Sequence, residues 1–316
     1  MSEQNPVEIM RTFTAANPPT LDVAVLAALQ EINAAEKSGN KCTRLDFSGL
    51  GRLLCVGSGN GKCTAEILGR HNDSTVADES NLAEKLRRAK YDAAIIISAS
   101  GEKDAPGIIE RIKRLNIPTH LLTCRQNSTA ASLAEKVTTF PLGREPISYN
   151  VMTYLSMILA STGENPQEIL NELDELLLNW DKKEYSNIFG QRPGFTFILP
   201  ARFATLIQML QIKFVELFQH HISYFGCTGA FAARHVTSLV QEPRAVYVNL
   251  DPEFDMNRLH LKCDILNLSL PLSADWGMAM AICYYLVGLI QRNNQPWFAQ
   301  RVIGYCQEWN TKPIAE

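Results

Sequence analysis

The stretch "AIIISASGEKDAP" (Ala94–Pro106) ends an apolar run in two serines one residue apart, a glycine and a lysine. Ser98 and Ser100 each carry a hydroxyl, and the main-chain N–H groups around Gly101 are further donors. Together they can satisfy several oxygens of a phosphate dianion. Lys103 would add positive charge. Ser and Gly in such a place also cap helices and turn the chain without binding anything. The stretch alone leaves both readings open.

A second such turn is "CVGSGNGKCT", with Gly57, Ser58 and Gly59 leading into a further glycine at 61. The dinucleotide fingerprint needs G-x-G-x-x-G and an acidic residue about twenty positions on. This turn is G-x-G-x-G, and Asp73 and Asp78 lie in a polar stretch that reads as irregular. A P-loop fails as well, because Val56 and Cys63 stand where the first glycine and the hydroxyl should be. What remains is a glycine turn before a helix start, which can seat an anion through free N–H groups and the helix dipole. Taken alone, it reads more simply as a tight turn.

The elements that would hold these turns alternate. Short apolar runs at Arg52–Gly57, Ala93–Ser98, Thr119–Cys124 and Val137–Phe140 predict strands, and helical periodicity separates them. A helix is predicted over Leu21–Lys37 and a long apolar one within Ile147–Thr162. A charged amphipathic stretch after Gly163 reads as a connector. A second alternation follows: strand "GFTFIL", helix "ARFATLIQMLQIKFVELFQHH", a glycine-rich loop "YFGCTGA", a helix near "FAARHVTSLV", strands "RAVYVN" and "DILNL", and a long helix from Ala274. Strands and helices alternating at these lengths imply parallel sheets covered on both faces. The expected organisation is α/β, with an N-terminal helix plus first domain over 1–163 and a connector plus second domain over 164–316.

The whole chain narrows the function classes. Its 316 residues carry a formal net charge of −3, without the basic stripe of a nucleic-acid surface. The eight cysteines are scattered with no C-x-x-C, so neither a disulfide framework nor a thiolate metal site is expected. The N-terminus has no apolar core of a signal peptide. The longest apolar run, Met278–Ile290, is too short to span a bilayer. A cytoplasmic protein without membrane contact is the expectation.

"VGSGNG" followed by "IIISASGEKDAPGIIERIKRLNIPTHLLT" resembles the sugar isomerase (SIS) domain of phosphosugar isomerases and phosphosugar-binding regulators. Ser98, Ser100 and Gly101 match that family's Ser-x-Ser-Gly-x-Thr, with Lys103 where threonine is usual. "REPISYNVMTYLSMILA" is similar to the family's segment of a glutamate before a Ser/Thr-studded helix, matching Glu145, Ser148 and Thr153. The resemblance covers residues 40–163 well and the second half more weakly. It implies two SIS-type αβα domains in tandem, and a phosphosugar held by Gly57, Ser58, Gly59, Ser98, Ser100, Gly101, Lys103 and Glu145.

In tandem members a K-x-x-E pair opens the second domain and a histidine follows the next loop. Lys213, Glu216 and His235 are the matching positions, although the neighbours of His235 and the turn "ILPAR" depart from the pattern. The implied activity is aldose–ketose isomerisation of a sugar phosphate by proton transfer, without metal or organic cofactor. Such chemistry needs a base, which a buried glutamate can be, a proton carrier for ring opening, which a histidine can be, and a cation to offset developing charge. Otherwise Lys213 and Glu216 are a solvated i,i+3 ion pair. His220, His221 and His71 read as helix-end residues, with His220 a reserve acid/base group. Arg202 reads as a surface arginine, and Lys312 in the short tail is weak as a candidate. The resemblance also implies a homodimer in which His235 serves the neighbouring pocket. The alternatives are a sugar-phosphate deglycase and a non-catalytic phosphosugar-binding regulator.

Overall fold

The computed structural model describes residues 5–39, 44–178, 182–236 and 242–315. In chain order the elements are helices α1 (Pro6–Thr12) and α2 (Leu21–Lys37), strand β1 (Leu53–Gly57), α3 (Asn60–Gly69), β2 (Ser74–Ala77), α4 (Leu82–Arg88), β3 (Ala93–Ile97), α5 (Asp104–Lys113), β4 (Thr119–Thr123), α6 (Thr129–Leu133), β5 (Lys136–Thr139), β6 (Glu145–Pro146) and α7 (Val151–Thr162). Then come α8 (Pro166–Leu178), α9 (Lys182–Phe189), β7 (Gly194–Leu199), α10 (Thr205–Phe218), β8 (Ser223–Thr228), α11 (Gly229–His235), β9 (Val246–Asn249), β10 (Asp264–Asn267), α12 (Trp276–Arg292), α13 (Trp297–Glu308) and β11 (Ile314–Ala315).

The α/β expectation holds. β1 to β5 form one parallel sheet in the order β2-β1-β3-β4-β5. β7 to β10 form another in the order β10-β9-β7-β8, also parallel. Numbered within its own sheet, the second order matches the first without a fifth strand. Central strands are buried throughout (β1, β3, β4 and β7), as a parallel sheet covered by helices requires. In the first sheet, Ile108, Ile109 and Ile112 of α5 pack with Leu54, Ile96 and Leu121 in one core cluster. In the second, Phe214 of α10 stacks on Tyr224 of β8 at 4.7 Å and meets Phe197 edge-on at 5.9 Å.

The chain divides into two compact units, and they are not its two sequence halves. One holds Ile32–Gly143 and Asn150–Glu164, with the first sheet. The other holds the second sheet together with Met1–Glu31 and Arg144–Tyr149. Specific bonds explain this grouping. The Leu21 N–H donates to Gln291 on α12, and the Tyr149 hydroxyl donates to the Pro19 carbonyl at 2.7 Å. Arg144 donates to the carbonyls of Met10 and Phe13, and Arg292 pairs with the fully buried Asp22. β6 also pairs antiparallel with β11. A helix that looks N-terminal to the first domain thus belongs largely to the second sheet's unit.

Other local expectations change too. The "irregular" stretch before Asp78 is edge strand β2, and "YFGCTGA" is no loop but the end of strand β8 running into α11. Residues 237–241, at the end of "FAARHVTSLV", lie outside the described residues. Residues Val151–Ala160 of the apolar helix α7 are buried within the chain itself. α12 is buried on all sides from Gly277 to Ile290, so its apolar length makes it a core helix. No helix among the described residues is long and apolar enough to cross a membrane. The buried thiols behave as small apolar groups, and burial pushes Cys55 up to about 12. Cys42 lies outside the described residues.

Candidate functional site

The two serine-glycine turns leave adjacent strands at one level, since Gly57 of β1 is paired in register with Ile97 of β3. In the order β2-β1-β3-β4-β5 the connections part to opposite sides between β1 and β3. The carboxyl ends of those strands flank the crevice where open α/β sheets bind ligands. Seven of the expected residues are therefore brought together: Gly57, Ser58, Gly59, Ser98, Ser100, Gly101 and Lys103.

The two turns enter their helices alike. Gly59 precedes α3 with φ 54° and ψ −123°, and Lys103 precedes α5 with φ 53° and ψ −114°; neither helix start has a side-chain cap. This backbone region is one that glycine adopts freely and lysine does not. Lys103 is exposed, and its ammonium has no partner among the described residues. Neither helix start spends a side chain on its first N–H groups, an arrangement that suits an anion.

Bond directions define the β3 turn further. The Ser98 hydroxyl accepts the Gly101 N–H, and the Ser100 hydroxyl accepts the Glu102 N–H, each at 3.2 Å. A hydroxyl that accepts such a bond keeps its own proton to give, so both serines retain a donor. Gly101 has φ +65°, and a Cβ there would fall 2.1 Å from Ser128 Oγ. The Ala99 carbonyl accepts bonds from Thr123 Oγ1 and the Cys124 N–H, which pin the turn to the end of β4. Glu102 turns away from the seat and accepts the Thr129 N–H at the start of α6.

The β1 turn differs. The Ser58 hydroxyl donates to the Glu79 carboxylate at 2.5 Å. Beside it, Lys62 pairs with Asp78 at 2.6 Å; bonds from Lys62 and Ser80 hold the Asp78 carboxyl down to about 2, and the Asp78 bond raises Lys62. Glu79 follows strand β2, which sequence patterning does not reveal because its Ser-Thr-Val-Ala run is short and polar.

Among the described residues, the corresponding crevice of the second sheet, between β7 and β9, has no such seat. Pro200 follows β7 and lacks an N–H, and Asp251 stands beyond β9. Arg202 lies over Phe203 and donates to the Leu272 carbonyl. The departure of "ILPAR" from a glycine turn therefore has a structural consequence.

The other expected residues lie in the second sheet's unit. Lys213 and Glu216 sit one turn apart on α10 with Lys213 Nζ 2.6 Å from Glu216 Oε2. This is not a solvated pair: the Lys213 side chain is fully buried and that of Glu216 is 30% exposed. Lys213 also donates to the carbonyl of Ser148, and its Nζ lies 5.7 Å from the centre of the Tyr284 ring. Glu145 is buried on β6, three residues before Ser148. A cleft of about 660 Å³ opens beside Glu216, with Ser148, His221, Trp297, Arg301 and Trp309 among its walls. His221 stacks face to face on Trp297 at 4.4 Å, while His220 is exposed. Trp297 opens helix α13 and Trp309 follows its last residue, so both are placed by that helix.

His235 is not drawn to this pair by any bond among the described residues. It lies exposed at the end of α11, its ring 4.7 Å from that of Phe231. Thr153 donates to the Pro141 carbonyl in the first sheet's unit, and Lys312 is exposed just before Pro313, whose carbonyl accepts the Ile147 N–H.

No protein-family model and no curated protein sequence matches the chain. Solved structures do. The chain is similar to glucosamine-6-phosphate deaminase from Thermotoga maritima, with a TM-score of 0.62 at 17% identity, over 87% of this chain and 94% of that one. It is similar to tagatose-6-phosphate ketose/aldose isomerase from Escherichia coli, with a TM-score of 0.56 at 13% identity, over 89% and 95%. A third likeness is to the C-terminal domain of glucosamine-fructose-6-phosphate aminotransferase from Francisella tularensis, with a TM-score of 0.56 at 12% identity, over 88% and 94%. This chain therefore shares its α/β fold, with its two parallel sheets, with solved structures that carry the names of phosphosugar isomerases and related sugar-phosphate enzymes.

Proposed function

We propose that this protein binds a sugar phosphate at the β3 turn and acts on it by cofactor-free proton transfer, as an aldose–ketose isomerase-type enzyme. The observation that carries the binding half is the pair of serine hydroxyls at the first sheet's crevice. Both accept from turn N–H groups and so keep a proton for phosphate oxygens. Lys103 at the same turn adds charge. The solved structures of like fold carry sugar-phosphate names, which supports the same ligand class here.

The catalytic half is assigned to Glu216, Lys213 and His235. In an aldose–ketose conversion, the base takes the proton from C2, and the bonding pair becomes the C1–C2 double bond of an enediolate. The same acid returns the proton to C1 as the carbonyl forms at C2 and the hydroxyl proton passes from O2 to O1. Glu216 suits the base because its carboxylate is held by a buried ammonium yet still faces a cleft. Lys213 offsets negative charge, and His235 carries the ring-opening proton. His235 is exposed, with no bond to the pair, which supports its service to a second copy of the chain in a homodimer. β8 is an edge strand, and Phe225 and Phe231, close to His235, are exposed.

A thermal-shift panel of hexose, amino-sugar and amine-substituted sugar phosphates, followed by a turnover assay on those that stabilise the protein, tests the proposal. Isomerisation of a stabilising ligand supports it. Release of an amine points to the deglycase, and strong stabilisation without turnover to the regulator. No stabilisation by any member of the panel removes the phosphosugar reading.

A further inference from the structure

The two turns at the first sheet's crevice have opposite hydrogen-bonding character, and bond chemistry forces the difference. At the β3 turn an N–H can only donate, so Ser98 and Ser100 accept from Gly101 and Glu102 and keep their protons. At the β1 turn an ionised carboxylate can only accept, so Ser58 spends its proton on Glu79. What Ser58 and Glu79 then offer a ligand is lone pairs alone. Two side-chain acceptors, Ser58 Oγ and the Glu79 carboxylate, therefore stand at the β1 turn, and the two serine proton donors stand at the β3 turn.

Charge follows the same division. The Asp78 carboxylate is matched by Lys62, whereas Glu79 has the Ser58 hydroxyl as its partner and no cation among the described residues. The turn that displays Glu79 is held in shape by its neighbours: Asp78 Oδ1 accepts the N–H groups of Ser80 and Asn81, and Asn81 Oδ1 accepts the Asp78 N–H. An unmatched carboxylate repels a phosphate and attracts an ammonium or hydroxyl.

Distance agrees with this polarity. Glu79 follows β2 and Ser98 follows β3, two strands apart with β1 between them. Two strand spacings are about 9–10 Å, a span that a hexose covers when its C6 phosphate sits at one end and its C1–C2 end at the other.

We propose that Glu79, with Ser58, is a specificity subsite that reads a hydrogen-bond donor at the C1–C2 end of the sugar, an amino group most strongly, while phosphate is held at the β3 turn. The proposal rests on the phosphosugar reading and assigns Ser58 to the sugar instead of to the phosphate.

Calorimetric titration of the full chain tests it with four probes: inorganic phosphate, glucosamine 6-phosphate, glucose 6-phosphate and 2-deoxyglucose 6-phosphate. The wild type is expected to bind glucosamine 6-phosphate about tenfold or more tighter than the 2-deoxy sugar, as one charge-assisted bond allows. Glu79→Gln should bring the two within about twofold while inorganic phosphate binds as before or slightly tighter, since a nearby negative charge is gone. Glu79 is exposed, so the variant should fold, and an unchanged melting curve checks this. The preference surviving in Glu79→Gln, or its absence from the wild type, overturns the subsite. Equal weakening of all four probes by Glu79→Gln overturns it too, because Glu79 would then only support the turn. If the wild type binds none of the probes, the phosphosugar reading itself fails, a result distinct from the other three.

Discussion

Lys213 Nζ lies 2.6 Å from Glu216 Oε2, and of the two side chains only the glutamate reaches solvent. A buried ammonium holding a partly exposed carboxylate is costly unless its remaining donors are used. The Ser148 carbonyl takes one of them. The pair's contribution to stability and the proposed roles of Lys213 and Glu216 in turnover can be tested apart.

Glu216→Gln leaves Lys213 buried with a neutral partner. Stability should fall by about 1–3 kcal/mol, less than for a fully buried pair because the glutamate keeps water access. Lys213→Met together with Glu216→Gln should recover much of that loss, since the buried charge is gone. Urea denaturation measures both. Turnover should drop about a hundred- to ten-thousand-fold in both variants if Glu216 is the base, with sugar-phosphate affinity little changed. A stability loss without any turnover loss makes the pair purely structural.

Ser98→Ala with Ser100→Ala removes the two hydroxyls that keep donors for an anion. Each bond to a charged group contributes about 1.5–3 kcal/mol, so affinity for phosphate and for sugar phosphates should fall by one to two orders of magnitude per hydroxyl. Calorimetry on a variant with an unchanged melting curve is the measurement.

Two glycines at positive φ should respond differently to alanine. At Gly59 a Cβ would meet nothing within 4 Å, so Gly59→Ala carries backbone strain alone, of about 1 kcal/mol. At Gly101 a Cβ would fall 2.1 Å from Ser128 Oγ. Gly101→Ala should therefore cost clearly more, about 2–3 kcal/mol, and weaken phosphate binding by displacing the Ser98 bond. Equal stability of the two variants in urea would contradict this account of the turn.

His120 gives a pH dependence. Burial, and secondarily the charge of Lys136, lower its imidazole from 6.5 to about 4, and its Nε2 lies 2.8 Å from the Thr138 hydroxyl. The unfolded chain takes up a proton as pH falls through 6.5, and the folded chain does so only near 4. Its contribution is thus complete above pH 6.5 and is lost as pH falls to about 4, by about 3 kcal/mol in all. His120→Gln should flatten the stability curve across that window. A wild-type curve already flat there would show that the imidazole is not held neutral.

The β3 turn was legible from residue order because its signal is local: the buried run Ala93–Ile97, two hydroxyls and a glycine occupy consecutive positions, and strand, turn and helix follow from them. The i,i+3 spacing of Lys213 and Glu216 likewise placed both on one helix face. Whether that face was wet was a different matter. Lys213 is buried because α12 and the Ser148 carbonyl close over it, and no pattern within α10 carries that information. β2 stayed hidden for a related reason: an edge strand with three of its four residues half-exposed needs little apolar content, since its pairing with β1 defines it. The grouping of Met1–Glu31 with the second sheet depends on bonds such as Leu21 to Gln291, across 270 positions.

Local sequence thus determined the buried central strands, the glycine turns and the chemical types available at the crevice, because φ/ψ preference and apolar periodicity act over a few residues. Tertiary structure alone decided which hydroxyls keep their protons, since the partner that consumes the Ser58 proton stands 21 residues away on a neighbouring strand end. Hydrogen-bond direction depends on which groups the fold places within reach, and that is set by long-range packing.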